Sequence, residues 1–344
     1  MNKNNGIFNK LKKAIGNTTV IDEAKMTVKK RSITKITITF FIVFFIGSML
    51  SNFLLGLPTT VYLMSNDAFK EAFNSATIDQ AGLNALITDT LSKLPTWFNS
   101  FELFATIGAL IVCIGYCTKF ERRRLFTLGF VRKGAVKEAL YGWLAGFVMS
   151  SVVYGIMLLS GQMSFGGFNY NVSYFTLIAF FFGCIVQGFS EEVLFRGYYM
   201  VSGATTGNVI TAVFTSSVLF SVLHVANEGI TALAIVNILL FGLFNALYFI
   251  RRGSIWSVAM FHAIWNFSQG NIFGCNVSGI NFGSSLFTSI DNGGNNLFSG
   301  GAFGPEGGLA VTIVLVIGLT VLYFMKNKDV YPEIDFSKEF YSAF

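Results

Sequence analysis

Phe175-Thr176-Leu177-Ile178-Ala179-Phe180-Phe181-Phe182-Gly183-Cys184-Ile185-Val186 is a long apolar run, and it leads into Gly188-Phe189-Ser190-Glu191-Glu192-Val193-Leu194-Phe195-Arg196-Gly197. Read as part of a membrane span, this stretch places two carboxylates and a guanidinium at or within the hydrocarbon. Each costs at least about 2.5–3.5 kcal/mol on insertion scales, and residues kept at such a cost are usually functional. On a helix, Glu192 and Arg196 are four apart with the acid N-terminal to the base, the favourable order for a same-face pair. Glu191 is turned about 100° away from Glu192 and has no local cation. One carboxylate is therefore tied and one is free, and the free one is the candidate for chemistry.

The composition extends this reading to the whole chain. Of 344 residues, 53% are hydrophobic and only 12% charged, about half the charge of a soluble protein. The fold class is all-α, a polytopic membrane bundle. The 39 Phe and 35 Gly suit lipid-facing bulk and close helix packing. The net charge of +6 belongs to loops between spans and not to a nucleic-acid site, for which no motif is visible. The four cysteines, Cys113, Cys117, Cys184 and Cys275, show no metal-ligand pattern; Cys113 and Cys117 share a face of one span and read as packing residues.

Residues 1–35 are polar and basic. Within them Ile7, Phe8, Leu11 and Ile15 recur at helical spacing among Lys10, Lys12 and Lys13. A short basic amphipathic helix on an anionic leaflet and a disordered cytoplasmic tail fit this pattern equally. The apolar run from about Ile36 to Leu57 is too long, and too far from the start, for a cleaved signal peptide. Further spans are expected near 98–118, 138–160, 174–200, 209–226, 230–250, 254–270 and 308–325, eight in all.

The basic residues test the count. Lys29, Lys30, Arg31 and Lys35 precede span one, and Lys119, Arg122, Arg123, Arg124, Arg132 and Lys133 lie between spans two and three. Arg251 and Arg252 lie between six and seven, and Lys326 and Lys328 follow eight. All fall on one side if both termini are cytoplasmic. The other side receives loops 65–97 and 161–173 and the segment 271–307. That segment is rich in Gly and Asn, as in Asn292-Gly293-Gly294-Asn295-Asn296, and is expected to be a flexible external loop, a plain linker in preference to a gate.

Both histidines of the chain lie in expected spans. His224 ends Phe220-Ser221-Val222-Leu223-His224; His262 opens His262-Ala263-Ile264-Trp265-Asn266, so His262 and Asn266 share a helix face. Beside an unpaired glutamate they suggest one shared polar site. Such a site can be built three ways. In a hydrolase, Glu191 takes a proton from water, His224 orients that water, and His262 and Asn266 donate to the oxyanion. In a zinc site the histidines and Glu191 are ligands with one open position, although no His-Glu-x-x-His signature is present. In a proton or ion pathway the same groups titrate and cut nothing. Cys184 and Ser190 are weaker nucleophile candidates, Ser190 lacking a Gly-x-Ser-x-Gly elbow. Gln187, one turn before Glu191, reads equally as a site contact or as packing. Asn237 and Asn245 share a face of span six and are expected to make interhelical hydrogen bonds.

Glu191-Glu192-x-x-x-Arg196, Phe220-x-x-x-His224 and His262-x-x-x-Asn266, in this order on successive hydrophobic segments, resemble the three motifs of the CPBP family, the CAAX protease and bacteriocin-processing (Abi) group of intramembrane glutamate endopeptidases. The resemblance covers about 138–270, and Leu128-Gly129-Phe130-x-Arg132-Lys133 before span three is also similar to the family. It implies an eight-helix fold with the site inside the bundle, Glu191 as water-activating base beside His224, and His262 with Asn266 on the oxyanion side. Glu192 and Arg196 become a structural pair, and Phe220 packs beneath His224. It implies no cofactor or metal, a membrane-associated protein or peptide substrate, and a bacterial cell membrane. The chain then divides into a basic segment 1–35, N-terminal spans 36–137, a catalytic core 138–270, the loop 271–307, and a last span with tail 308–344. The competing function is a non-proteolytic transporter, or an immunity or scaffold protein, using the same polar site. One difficulty attends a common site. Glu191 counts nearer the inner end of span four, and His224 nearer the outer end of span five, so the 201–208 connection is expected to be partly buried.

Overall fold

Apolar stretches in a membrane satisfy their backbone groups internally by coiling into helices, and the fold follows from that requirement. The structure, a computed structural model, describes residues 16, 18–75, 78–294 and 296–331. Among the described residues five helical segments are long and apolar enough to cross a membrane: Ile33–Ser65, Thr96–Phe120, Ala135–Leu159, Tyr174–Ala204 and Ala232–Arg252. Three of the expected spans are shorter than that. Two are the apolar helices Val209–Leu223 and Leu309–Phe324, and the third, Ile255–Phe267, continues in wide π-type turns to Ile272.

In chain order the helices are α1 (Thr19–Thr27), α2 (Ile33–Ser65), α3 (Asp67–Asn74), α4 (Gln80–Ser92), α5 (Ser100–Ala105), α6 (Ile107–Gly115) and α7 (Ala135–Leu159). There follow α8 (Tyr174–Glu192), α9 (Val201–Ala204), α10 (Val209–Leu223), α11 (Ala232–Arg252), α12 (Ile255–Phe267) and α13 (Leu309–Phe324). Wide turns over Val193–Met200 join α8 to α9 without a break in the helical path. α12 is the central element, buried along most of its length and packed between α7 and α8. Its close neighbours present glycine where the backbones meet: a Cβ on Gly142 would lie 2.0 Å from Ser257 O, and one on Gly146 2.6 Å from Phe261 O. This is the small-residue packing that lets helices approach in lipid.

The amphipathic stretch expected around Ile7–Ile15 lies outside the described residues. The rest of the N-terminal segment is built into the protein. Thr18 Oγ1 accepts from Ile21 N at 3.2 Å to cap α1, and Val20, Ile21 and Ala24 are fully buried against α9 and the turn Leu125–Leu128.

The segment 271–307 differs from the expected flexible linker. Strand β2 (Phe287–Asp291) pairs antiparallel with β1 (Met163–Phe168), with Met163 opposite Asp291 and a bulge between Phe165 and Phe168. Tyr154 on α7 bonds Ser289 Oγ at 2.8 Å, fastening the sheet to the bundle. Val277, Phe282 and Phe303 are buried. A glycine-rich sequence lacks helical or strand periodicity, so its order here comes from tertiary contacts that a pattern search does not see.

Candidate active site

Close approach of α8 and α12 assembles the site. A Cβ on Gly188 would lie 2.7 Å from Ala259 O and 2.9 Å from Ala263 N, so only glycine lets the helices meet at this level. One turn later α8 carries Glu191 and Glu192, and α12 carries His262 opposite them. The two carboxylates bracket the imidazole: Glu192 Oε1 is 2.9 Å from Nδ1 and Glu191 Oε2 is 3.9 Å from Nε2.

Glu192 has no solvent exposure. Its Oε1 accepts from Arg196 Nη1 at 3.1 Å, from Asn245 Nδ2 at 3.0 Å, and from His262 Nδ1. Arg196, equally buried, also donates to Gly242 O at 3.0 Å and stands 4.7 Å from the ring centre of Phe220. The expected Glu192–Arg196 pair is therefore present, and it does more than hold α8: it ties α8, α11 and α12 together and orients His262. Because a carboxylate paired with arginine can only accept, the Nδ1 of His262 carries its hydrogen.

Glu191 is the unlike neighbour. Its Oε2, like Oε2 of Glu192, is buried with no hydrogen-bond partner among the described residues, but its side chain, unlike that of Glu192, lines a cavity of about 70 Å³ shared with His224, His262 and Asn266. That volume accommodates a few water molecules. His224 caps the end of α10, and its Nδ1 lies 2.8 Å from Phe220 O. A carbonyl only accepts, so Nδ1 of His224 also bears the hydrogen, leaving Nε2 as the other ring nitrogen. Phe220 packs 4.6 Å from His224 and 6.0 Å from His262, ring centre to ring centre. Asn266 Nδ2 donates to Gln187 Oε1 at 3.2 Å, and Gln187 lines the same cavity.

The depth difficulty disappears because the helical path of span four runs to Ala204, past the expected end at 200. From Glu191 to Ala204 is about 20 Å of helix, and from Val209 to His224 about 22 Å, so the two side chains reach a common level. The connection is buried through Thr205.

The Gly/Asn-rich segment completes the cavity wall with Val277, Ser278, Ile280, Phe282 and Glu306. Glu306 is its anchor. One carboxylate oxygen accepts from Trp265 Nε1 at 3.1 Å, next to Asn266, and the other from Ser278 N at 2.9 Å and Ser278 Oγ at 2.5 Å. Asn237 on α11 donates to Glu306 O and Gly308 O and accepts from Thr312 Oγ1. Asn227, just after His224, donates to Ser278 O at 3.0 Å. Asn237 and Asn245 thus make the interhelical bonds expected of them. Neither Glu306 nor Ser278 is legible in the sequence, because a lone acid in a glycine-rich stretch carries no local signal of its partner.

The weaker nucleophiles are accounted for by packing. Cys184 is fully buried among Leu103, Phe180 and Ala263, and Ser190 Oγ donates to Val186 O at 2.7 Å. Cys113 and Cys117 are likewise buried in the apolar core. Among the described residues no group of three or more His, Cys, Asp or Glu side chains is arranged to hold a metal ion.

Residues 173–268 match the family model of the type II CAAX prenyl endopeptidase Rce1-like proteins, in agreement with the CPBP resemblance. The matched segment contains Glu191, Glu192, Arg196, Phe220, His224, His262 and Asn266. No curated protein and no solved structure matches the chain.

Proposed function

We propose that this protein is an intramembrane endopeptidase of the CAAX type that hydrolyses a peptide bond with a water activated by Glu191. The Rce1-like match supports a protease acting on membrane-associated protein or peptide substrates. The observation that carries the mechanism is the unpartnered Oε2 of Glu191, buried beside a cavity that also meets two imidazoles and a primary amide.

In the proposed reaction Glu191 removes a proton from water while His224 Nε2 orients it. The water oxygen bonds to the carbonyl carbon, and the carbonyl oxygen becomes an oxyanion that accepts from Asn266 Nδ2. A charged His262 adds a donor from Nε2; a neutral one, its hydrogen held on Nδ1 by Glu192, adds none. Glu191 then passes its proton to the departing nitrogen as the C–N bond breaks, and the base is restored. General-base assistance of this kind contributes about 10²–10⁴-fold to a rate.

The test is cleavage by purified Glu191→Gln protein in lipid vesicles. Loss of cleavage by at least about 10²-fold with unchanged expression and folding is expected; cleavage at the wild-type rate removes Glu191 from the role of base. Solute flux through wild-type vesicles without any cleavage would instead favour the transporter reading. Both termini are proposed to lie on the cytoplasmic side, following the placement of the basic residues.

A further inference from the structure

We propose that Gln187 is a catalytic residue of this site: its side-chain amide is the second donor, beside Asn266, to the oxyanion formed at the substrate carbonyl. The inference deepens the endopeptidase reading above and rests on it.

Stabilising an oxyanion in a water-excluded site takes preorganised donors aimed at one point. His262 and Asn266 are the donors expected on the oxyanion side, and the geometry weakens one of them. His262 has its Nδ1 hydrogen committed to Glu192 at 2.9 Å, and its Nε2 stands opposite Glu191 Oε2 at 3.9 Å. When neutral it has no second hydrogen to give, and when charged it faces the carboxylate. Asn266 is then left with no donor beside it on α12.

Gln187 occupies that place. It lies one turn before Glu191 on α8, lines the cavity, and is joined amide to amide with Asn266 at 3.2 Å. Each primary amide carries two N–H groups and one acceptor oxygen. Their mutual bond uses one N–H of Asn266. It leaves the other N–H of Asn266 and both of Gln187, none of which has a protein partner among the described residues. The bond also sets the two nitrogens in a fixed relation, so the remaining donors are arranged before substrate arrives.

The experiment uses the full-length protein in lipid vesicles, a peptide that the wild type cuts, and the same peptide with its scissile amide replaced by a phosphinate, a mimic of the tetrahedral state. Gln187→Met keeps the length of the side chain and removes both donor and acceptor. It is expected to lower kcat by about 10²-fold, to leave KM nearly unchanged, and to weaken phosphinate binding by the same factor. Gln187→Met combined with Asn266→Ala is expected to fall below Asn266→Ala alone, because each side chain donates separately. Unchanged kcat in Gln187→Met, or retained phosphinate affinity, overturns the assignment. So does a double variant equal to Asn266→Ala, which reduces Gln187 to holding Asn266 in place. Glu191→Gln is the independent control: it is expected to lose turnover and to keep phosphinate binding, since the mimic needs the donors and not the base. If Glu191→Gln cuts normally, the base is misassigned and the Gln187 result is unaffected.

Discussion

His262 Nδ1 lies 2.9 Å from Oε1 of Glu192, and through this contact the interior acid sets the orientation of a ring that faces Glu191, the acid proposed as the base. Adjacent residues on one helix thus have different surroundings. Glu192 faces Arg196, Asn245 and His262 in the dry interior, and Glu191, turned away from it, faces the cavity.

Removing Glu192 should be the most damaging single change to the fold. Glu192→Ala leaves Arg196 buried and without its carboxylate, a loss of about 3–5 kcal/mol for a broken buried pair. Thermal unfolding in detergent should show a large drop in melting temperature. Glu192→Gln keeps an oxygen that can accept from His262 and Asn245 and should unfold between the two. A Glu192→Ala protein as stable as wild type would contradict the three-helix role given to this side chain.

Gly188 should be intolerant of any side chain. A methyl there meets the backbone of Ala259 and Ala263, so α8 has to move from α12 and carries Glu191 with it. Displacement of a catalytic group by about 1 Å costs on the order of 10²-fold in rate. Gly188→Ala is therefore expected to lose activity to that extent while Gly155→Ala, with nothing within 4 Å, does not. Equal activities of the two variants would show that the contact is not limiting.

The wall contributed by residues 276–308 should depend on Glu306. Glu306→Ala removes the acceptor for Trp265 and Ser278, and hydrogen bonds to a charged group contribute about 1.5–3 kcal/mol. Hydrogen exchange at the backbone amides of Ser278, Gly279 and Gly307 should accelerate, and turnover should fall as the cavity loses that side. Unchanged exchange would mean that the segment is held by other contacts.

Orientation in the bilayer can be read by thiol labelling. Lys29→Cys and Asp291→Cys place a thiol at exposed positions expected on opposite faces of the membrane. A membrane-impermeant maleimide should reach position 291 in intact cells and position 29 only after permeabilisation. Labelling of both in intact cells contradicts the proposed placement of the N-terminal segment.

Much of the architecture was legible in the sequence because membrane helices declare themselves by long apolar runs, and the four candidate residues because ionisable and amide groups stand out against such runs. Glu191, His224, His262 and Asn266 do line one cavity. What the sequence concealed has a common cause: interactions between distant segments. The four-residue spacing reveals Arg196 as a partner of Glu192 but is silent on Asn245 and His262, which lie 53 and 70 positions away. The docking of α1 rests on Val20, Ile21 and Ala24, apolar residues interspersed with Asp22, Glu23 and Lys25. The order of 271–307 depends on Glu306 reaching Trp265 across 41 positions. Span four runs past its expected end because the residues at 201–204 dilute its apolar signal yet continue the helix and bring Glu191 level with His224.

The central claim is that a carboxylate at position 191 cuts peptide bonds. Its most direct test is mass spectrometry of peptide termini in membranes from cells carrying wild type or Glu191→Gln. The account predicts a set of termini present only with the wild type, each marking a bond near the membrane surface. Identical termini in the two samples, with both proteins present at equal levels, would contradict it.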